Sequence, residues 1–345
     1  MLPRSVAARC RGAQRAAQLV PELMRANQRS EQAFLLALLE MVVQGVSTRK
    51  VTKITEELCG VEVSKSTVSA LCGRLDPLVT DWNARPLEET AYPFLLVDAL
   101  VLKIREDERV RARSALIVTG VAASGHRSIL GLALGDSESE ASWGALFHNL
   151  KQRGLQGVDL VVSDDHSGLV AAARRHFQGC TWQHCQAHFS RNVLGATPKA
   201  AQKELKTHLT ALFTAPDLAT ARTLLRQMHT LFAERAPTAL EILDAGFDDA
   251  TAVLALPAPY RVRLRTTNSQ ERLNEEIRRR ERVIRIFPNR PAAVRLLGAL
   301  LMEWDEQWAT GKRYLDMDLY LQTKQQQQHA LTLETAGKEV PAQVA

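Results

Sequence analysis

Residues 94–102 read FLLVDALVL, an apolar run interrupted by one acid, Asp98. A short stretch rich in Leu and Val is typical of a buried β-strand. A carboxylate inside such a strand is costly to bury unless a cation or another partner compensates its charge. Asp98 is therefore the first candidate for a functional residue.

The segments after this strand predict a mixed α/β fold. Apolar segments at 115–123 and 128–134 predict two further strands, and the charged residues 105–111 predict the turn before the second strand. A helix from Ser137 or Ser139 to Gly154, a strand at 158–163, a helix at 167–177 and a short strand near Thr181 follow. The resulting order, βββαβαβ, is that of a ribonuclease-H-like mixed sheet.

A second acid, Asp164, directly follows the predicted strand at 158–163, and Asp165 is the alternative at this position. Strands joined through a helix are commonly parallel, and ligand sites gather at their carboxyl ends. In the ribonuclease-H-like order the first and fourth strands are parallel neighbours. We therefore expect Asp98 and Asp164 to lie side by side.

The residues before the sheet predict a small helical domain. Apolar residues at helical spacing predict three helices between 30 and 75, with Ser64 as the cap of the third. This arrangement is typical of a helix-turn-helix, whose last helix can enter the major groove of DNA; a protein-docking module is the alternative. The DNA contacts predicted in this domain are Arg49, Lys50, Lys65, Ser66, Ser69 and Arg74.

Positive charge is concentrated in the C-terminal third of the chain. The formal net charge is +6, whereas residues 259–295 contain eleven Arg and four Glu, a local excess of seven. Such a block suits a phosphate backbone, because each cation that neutralises a phosphate releases condensed counterions. A solvated, salt-bridged helix surface is the alternative.

A helix is predicted to begin within this block, near Asn268. Thr267 or Asn268 would cap it, and Gln270 or Glu271 would close the capping box. If its first turns pack against the sheet edge, Glu271 joins Asp98 and Asp164 as a third carboxylate. Three oxygen donors suit a hard divalent ion such as Mg²⁺, which Mn²⁺ may replace. A pair of such ions would activate a water or a 3′-hydroxyl and neutralise charge on a scissile phosphate.

The chain resembles the Mutator-type family of bacterial insertion-sequence transposases over roughly residues 30–315. The matching stretches are GVSTR at 45–49, VDA at 97–99, VSD at 162–164, WQHCQAHFSRN at 182–192, and the segment from RTTN at 265–268 to Arg280. The resemblance implies that Asp98, Asp164 and Glu271 form the metal-binding triad of a DDE transposase. It also places the family's Cys-x-x-His motif on Cys185 and His188.

Cys185 and His188 have three candidate roles: zinc binding together with Cys180 and His184, simple core packing, and positioning near the active site. No second ligand pair stands at the usual zinc spacing, so positioning is favoured. The other residues predicted to support the active site are Arg191, Asn268, Arg272, Asn274 and Arg278, and the further predicted DNA contacts are Arg279 and Arg280.

A chain of 345 residues predicts two or three packed units. The predicted boundaries are 1–29 for a basic arm, 30–90 for the helix-turn-helix domain, 91–191 for the first part of the catalytic core, 192–258 for an α-helical insertion, 259–315 for the C-terminal helices of the core, and 316–345 for a disordered Gln-rich tail.

Together these features predict a transposase that binds the terminal inverted repeats of its own element in double-stranded DNA, cleaves the strands and joins them to target DNA. The alternatives are a catalytically inactive DNA-binding regulator and a nuclease acting on an RNA strand. Synapsis of two ends predicts at least a dimer on DNA. Five cysteines without a disulfide framework, and no apolar run of membrane-spanning length, predict a cytoplasmic protein associated with the bacterial nucleoid and not with a membrane.

Overall fold

The computed structural model describes residues 29–59 and 63–326. Almost all of the basic arm predicted at 1–29 and much of the tail predicted at 316–345 lie outside these ranges. Within them the fold is a mixed α/β structure built around a five-stranded mixed sheet. None of the described helices is long and apolar enough to cross a membrane.

In the described part of the chain, the helices before the sheet are α1 (Arg29–Val43), α2 (Thr48–Cys59), α3 (Lys65–Gly73) and α4 (Leu75–Ala84). The first three share a hydrophobic core that includes Leu38, Val51 and Val68. The predicted cap of α3 is confirmed, because Ser64 Oγ accepts a hydrogen bond from the backbone N–H of Thr67 at 3.1 Å. We call α1, α2 and α3 the three-helix cluster.

The sheet contains β1 (Phe94–Glu106), β2 (Arg109–Val121), β3 (Arg127–Gly135), β4 (Leu160–Ser163) and β5 (Thr181–His184), in the spatial order β3-β2-β1-β4-β5. The first three strands form an antiparallel meander, whereas β4 is parallel to β1 and β5 is parallel to β4. Helix α5 (Glu140–Gln152) connects β3 to β4, and α6 (Ser167–His176) connects β4 to β5. The predicted order of elements, βββαβαβ, is confirmed.

The chain continues as α7 (Gln186–Gly195), α8 (Lys199–Phe213), α9 (Leu218–Phe232), α10 (Pro237–Thr251), a 3₁₀ turn (Ala252–Ala255), α11 (Ala258–Leu264), α12 (Asn268–Ile284) and α13 (Arg290–Thr310). Helices α7 to α10 enclose a hydrophobic core of their own, which includes Leu205, Met228, Phe232 and Leu243. The segment predicted as a helical insertion is therefore helical, with a core separate from that of the sheet.

Both faces of the sheet are covered by helices, because side chains alternate along a strand. On one face, Leu95 and Val97 of β1 pack in a cluster with Trp143 and Phe147 of α5. On the other face, Leu100 of β1 and its even-numbered neighbours pack in a cluster with residues of α12 and α13. Asp98 is also even-numbered, so it lies on the face that α12 covers.

The charged turn predicted at 105–111 is present but shorter than predicted. Strands β1 and β2 continue to a two-residue tip at Asp107 and Glu108, whose φ angles are 47° and 61°. Just before the tip, Lys103 and Arg105 alternate with Leu102 and Ile104, which are buried under α12 and α13 and hold this end of β1 in a strand. Charge alone predicted a loop, whereas the alternation with buried residues fits a strand.

The disordered tail predicted from 316 is also wrong at its start. Residues 318–326 are helical, and Met317 and Tyr320 are buried in a cluster with Phe94 and Tyr260. The backbone N–H of Tyr320 donates to the hydroxyl of Tyr260 at 2.8 Å. Aromatic packing against the sheet therefore orders a segment whose glutamines predicted disorder.

Candidate active site at the carboxyl ends of β1 and β4

The strand register places Asp98 and Asp164 at the same level of the sheet. The parallel pairing of β1 with β4 ends with Leu96 opposite Val162. Asp98 lies two residues beyond Leu96, and Asp164 lies two residues beyond Val162, directly after β4. The predicted approach of these two acids is therefore present in the structure, and Asp165 is the more exposed of the neighbouring acids.

The electrostatics of Asp98 reflect this placement. The pKa of Asp98 is raised from 3.8 to about 6, mainly by burial and in part by the negative charge of Asp164. The backbone N–H of Ala99, at 2.8 Å from Asp98 Oδ1, opposes the shift, as do the amide of Asn274 and the charge of His188. A buried acid beside a second acid is the arrangement in which a cation is most stabilising.

Helix α12 reaches this pair of acids through its amide side chains. Asn274 Nδ2 donates to Asp98 Oδ2 at 2.5 Å. One turn earlier, Gln270 is buried, and its Oε1 accepts from Thr119 Oγ1 of β2 at 2.8 Å. Gln270 is one of the two residues predicted to close a capping box at the start of α12. Its side chain instead joins α12 to the sheet.

The third predicted acid, Glu271, does not join the pair in this structure. It lies in the first turn of α12, three residues before Asn274, and is half-buried. Among the described residues, no group of three or more His, Cys, Asp or Glu side chains is placed to hold a metal ion. The structure thus brings Asp98 and Asp164 together and leaves Glu271 on the adjoining helix.

Cys185 and Thr267 connect β5 to the start of α12. Cys185 is fully buried, and its backbone N–H donates to the carbonyl of Ser163, the residue before Asp164, at 2.7 Å. Thr267, the N-cap residue of α12, donates to Cys185 Sγ from both its backbone N–H and its hydroxyl, each at 3.4 Å. Burial opposes ionisation of the thiol, but interactions with His188 and Thr267 outweigh it and lower the pKa of Cys185.

His188 lies between this thiol and the two acids. Its interaction with Cys185 raises the pKa of the imidazole; burial opposes this, and the charges of Asp164 and Asp98 reinforce it. The Cys-x-x-His motif is therefore beside the acids, in the place that the predicted positioning role requires.

Several buried polar atoms around the acids lack a hydrogen-bond partner within the described residues. They include Asp164 Oδ1 and Asn274 Oδ1, and also His188 Nδ1 and Gln270 Nε2. Buried polar atoms in folded proteins are nearly always satisfied by protein, water or an ion. The oxygens of Asp164 and Asn274 are ligands that hard cations take, whereas Gln270 Nε2 carries hydrogens and binds no cation, so the two oxygens are the atoms here that fit a divalent ion.

The arginines of the predicted site divide into exposed and buried ones. Arg278 pairs with Glu281 at 3.4 Å and Arg279 with Glu276 at 3.2 Å, both on the helix surface. The exposed predicted residues are Arg49, Lys50, Lys65, Ser66, Ser69, Arg74, Arg191, Asn268, Arg272, Arg278 and Arg279.

Arg280 contradicts its prediction as a DNA contact, because its residue surface is only 3% exposed. Its Nε donates to the carbonyl of Val43 at 2.7 Å, and its Nη2 donates to Gln44 Oε1 at 2.9 Å. Gly45 follows with a φ of 89°, and a Cβ there would lie 3.0 Å from Arg280 Cγ. Arg280 therefore joins the end of α1 to α12 and is not free to reach a phosphate.

One acid near the site was missed by the sequence reasoning. Glu138, in the turn before α5, accepts from Trp143 Nε1 at 3.3 Å and lies 4.0 Å from His166 Nδ1. Burial raises the pKa of Glu138, and the charge of Asp164 adds to the shift. No local pattern around Glu138 distinguishes it, since its proximity to Asp164 arises only when α5 and α6 pack together.

Comparison with known proteins agrees with the matching stretches of sequence. Residues 13–311 match the family described as transposase, Mutator family. The chain is 43% identical over 301 residues to the transposase for insertion sequence element IS256 in transposon Tn4001 of Staphylococcus aureus, covering 86% of this chain and 77% of that protein. It is 41% identical over 307 residues to the transposase for IS406 of Burkholderia multivorans (88% and 79%), and 38% identical over 297 residues to the transposase for IS1081 of Mycobacterium tuberculosis (86% and 72%). The chain belongs to the Mutator family of transposases.

Proposed function

We propose that this transposase binds the terminal inverted repeats of its own insertion element, cleaves DNA strands there and transfers them to target DNA in a metal-dependent reaction of the DDE type. The observation that carries the proposal is the pairing of Asp98 with Asp164 at one sheet edge, with α12 hydrogen-bonded to Asp98 through Asn274. Named transposases among the relatives supply the substrate class.

Asp98, Asp164 and Glu271 would hold Mg²⁺, or Mn²⁺ in its place. The ion, when bound, would supply Lewis-acid stabilisation of the phosphate and lower the pKa of the attacking hydroxyl or water. Glu271 lies three residues before Asn274 on α12, and Asn274 and Gln270 hold the backbone of α12 against β1 and β2. The unpartnered oxygen of Asp164 supports this assignment.

The surrounding side chains have roles that need no metal. Asn274 orients the carboxylate of Asp98, and the contact of Cys185 with Thr267 holds the first turn of α12 in place. His188 carries positive charge toward both acids when protonated. Arg191 and Arg272 are exposed and would contact phosphates of the bound strand.

The architecture supports the proposal at two further points. A meander of three strands with β4 parallel to β1 is the arrangement of a ribonuclease-H-like core, to which we assign the sheet. We assign the three-helix cluster to a helix-turn-helix, because α3 is capped by Ser64 and presents Lys65, Ser69 and Arg74 to solvent. Synapsis of two ends would require at least two copies of the chain.

The test is cleavage and joining of a labelled duplex that carries the element's own ends, with Mg²⁺ or Mn²⁺, and with EDTA or the Asp98→Asn variant as controls. We expect nicking at the ends that both controls abolish. Binding of the ends without cleavage in any divalent ion would instead identify an inactive, regulatory protein. Preferential cleavage of an RNA–DNA hybrid would identify a nuclease of related fold.

A further inference from the structure

The outer half of the β1–β2 hairpin extends beyond the rest of the sheet. Pairing of β1 with β4 ends at Leu96, and pairing of β2 with β3 begins only at Ser114. Residues 102–106 and 109–113 therefore pair with each other, with a bridge from Ile104 to Phe287 along the outer edge of β1. This hairpin arm is continuous with the strand that carries Asp98.

The two faces of the hairpin arm differ in what covers them. In an antiparallel pair, residues directly opposite each other point to the same face. Leu102 and Ile104 lie on the face covered by α12 and α13. The opposite face is open, with Val101 54% exposed and Val110, opposite Arg105, 46% exposed.

The cations on the two faces differ in most of their ion pairs. On the covered face, Arg113 and Arg290 of α13 both pair with Glu106, and Arg111 pairs with Asp107 at 3.4 Å, whereas the exposed Arg109 forms no ion pair within the described residues. On the open face, Lys103 and Arg105 are exposed, and neither forms an ion pair with an acid in the described ranges 29–59 and 63–326. The residues opposite them are Ala112 and Val110, and the charge of Lys103 acts on Glu281 of α12 without a direct ion pair.

We propose that the open face of the hairpin arm, with Lys103 and Arg105, binds the phosphate backbone of the DNA duplex whose scissile strand lies at Asp98. The inference rests on the proposed function and adds a surface to it. At about 3.4 Å per residue, Lys103 and Arg105 lie roughly 17 and 24 Å along the strand from Asp98. They are on the opposite face of β1 from Asp98, so the flanking duplex would reach them where it passes the free edge of the arm.

Charge favours nucleic acid over protein as the occupant. Lysine is depleted in protein interfaces, whereas unpaired cations along an edge are what a phosphate backbone selects. Contacts of this kind carry no base specificity, so the arm would bind flanking DNA irrespective of its sequence. It would therefore act separately from any reading of the terminal repeats by the three-helix cluster.

The test compares Lys103→Ala/Arg105→Ala with the matched control Arg109→Ala/Arg111→Ala. The control removes the same charge from the other face of the arm, where Arg109 lies opposite Glu106 and Arg111 lies opposite Ile104. Binding of full-length protein is measured over a range of salt concentrations, on a duplex bearing the element's ends and on a mixed-sequence duplex. We expect the open-face variant to lower the slope of log affinity against log salt by about 1.8, equally on both duplexes. We expect a smaller change in the control.

Four results would overturn the inference. If the slope is unchanged in the open-face variant while the wild type binds and cleaves the ends, the hairpin arm does not bind DNA and the proposed function still stands. If the slope falls equally in both variants, DNA binding does not belong to the open face alone. If DNA binding is unchanged but self-association is altered in the open-face variant, the open face binds a second copy of the chain instead. A wild type that binds neither duplex overturns the inference and the proposed function together.

Discussion

The two sides of the candidate site are held in different ways. Asp98 and Asp164 are placed by the register of β1 and β4, through backbone hydrogen bonds of the sheet. Glu271, on α12, is placed by the packing of Leu273 and Ile277 in the core under the sheet, and by the contacts of Asn274 with Asp98 and of Gln270 with Thr119. The sheet side is therefore fixed by backbone hydrogen bonds, whereas the helix side is held mainly by side-chain packing and side-chain hydrogen bonds.

This difference matches where the acids lie. The sheet brings its two acids together, while Glu271 stands apart on the first turn of α12. We infer that the sheet provides a permanent pair of carboxylates and that the helix completes the site when a cation and DNA bind. Substitutions on the two sides should therefore differ in size and in what they change.

The largest effect is expected for the sheet acids. Asp98→Asn or Asp164→Asn should each lower strand cleavage by at least about 10³-fold, because each removes a charge that would hold the catalytic ion. Affinity for the ends should change little. The matched control is Asp165→Asn, an exposed neighbour, and a cleavage rate as low as that of Asp164→Asn would transfer the role to Asp165.

The second effect concerns stability without metal. Asp98 has a pKa of about 6 in the folded protein against 3.8 in its ordinary state, so the folded protein retains a proton that the unfolded chain loses. The contribution of Asp98 to stability should be largest below about pH 4 and should fall by about 3 kcal/mol as the pH rises through about 6. Denaturant unfolding in EDTA measures this, and the difference between wild type and Asp98→Asn should follow the same pH window. If the difference in unfolding free energy between the wild type and Asp98→Asn does not depend on pH, the predicted loss of stability does not come from Asp98.

The third effect is on the helix side. Asn274→Ala removes the amide that orients Asp98 and should lower the cleavage rate by about 10- to 100-fold, the range for residues that orient a metal ligand. End binding should remain near the wild-type level. Glu275→Ala, at an exposed position on the same helix, is the control. Equal rates in the two variants would show that α12 is held without Asn274.

The smallest effect is expected at the thiol. Cys185→Ala should reduce cleavage by about tenfold or less and destabilise the fold by about 1 kcal/mol, because the contacts of Thr267 with sulfur are long. Cys180→Ala, at a half-buried cysteine away from Thr267, should leave the cleavage rate unchanged. Complete loss of activity in Cys185→Ala, with normal thermal unfolding, would require a direct chemical role for the thiol.

The sheet was predictable from the sequence because its signals are local. Apolar runs predict the strands, and the order βββαβαβ predicts that Asp98 lies beside Asp164. The resemblance to the Mutator family added Glu271 and the Cys-x-x-His motif, which periodicity alone leaves ambiguous. The comparisons show the family itself.

The features that were missed depend on packing between distant segments. Arg280 lies in a run of arginines, and nothing in that run shows which one folds inward against Val43. The turn predicted at 105–111 is too long, because the burial of Leu102 and Ile104 keeps the charged end of β1 in a strand. Glu138 approaches Asp164 only through the packing of two helices, so its proximity has no sequence signal.

The central claim is that Asp98 and Asp164 form the fixed part of a divalent-ion site that Glu271 completes. The most direct measurement is Mn²⁺ binding, followed by electron paramagnetic resonance, to the full-length protein in complex with a duplex bearing the element's ends. We predict that Asp98→Asn and Asp164→Asn abolish the bound Mn²⁺ signal and that Glu271→Gln weakens it. Wild-type Mn²⁺ binding in the two aspartate variants would contradict the account.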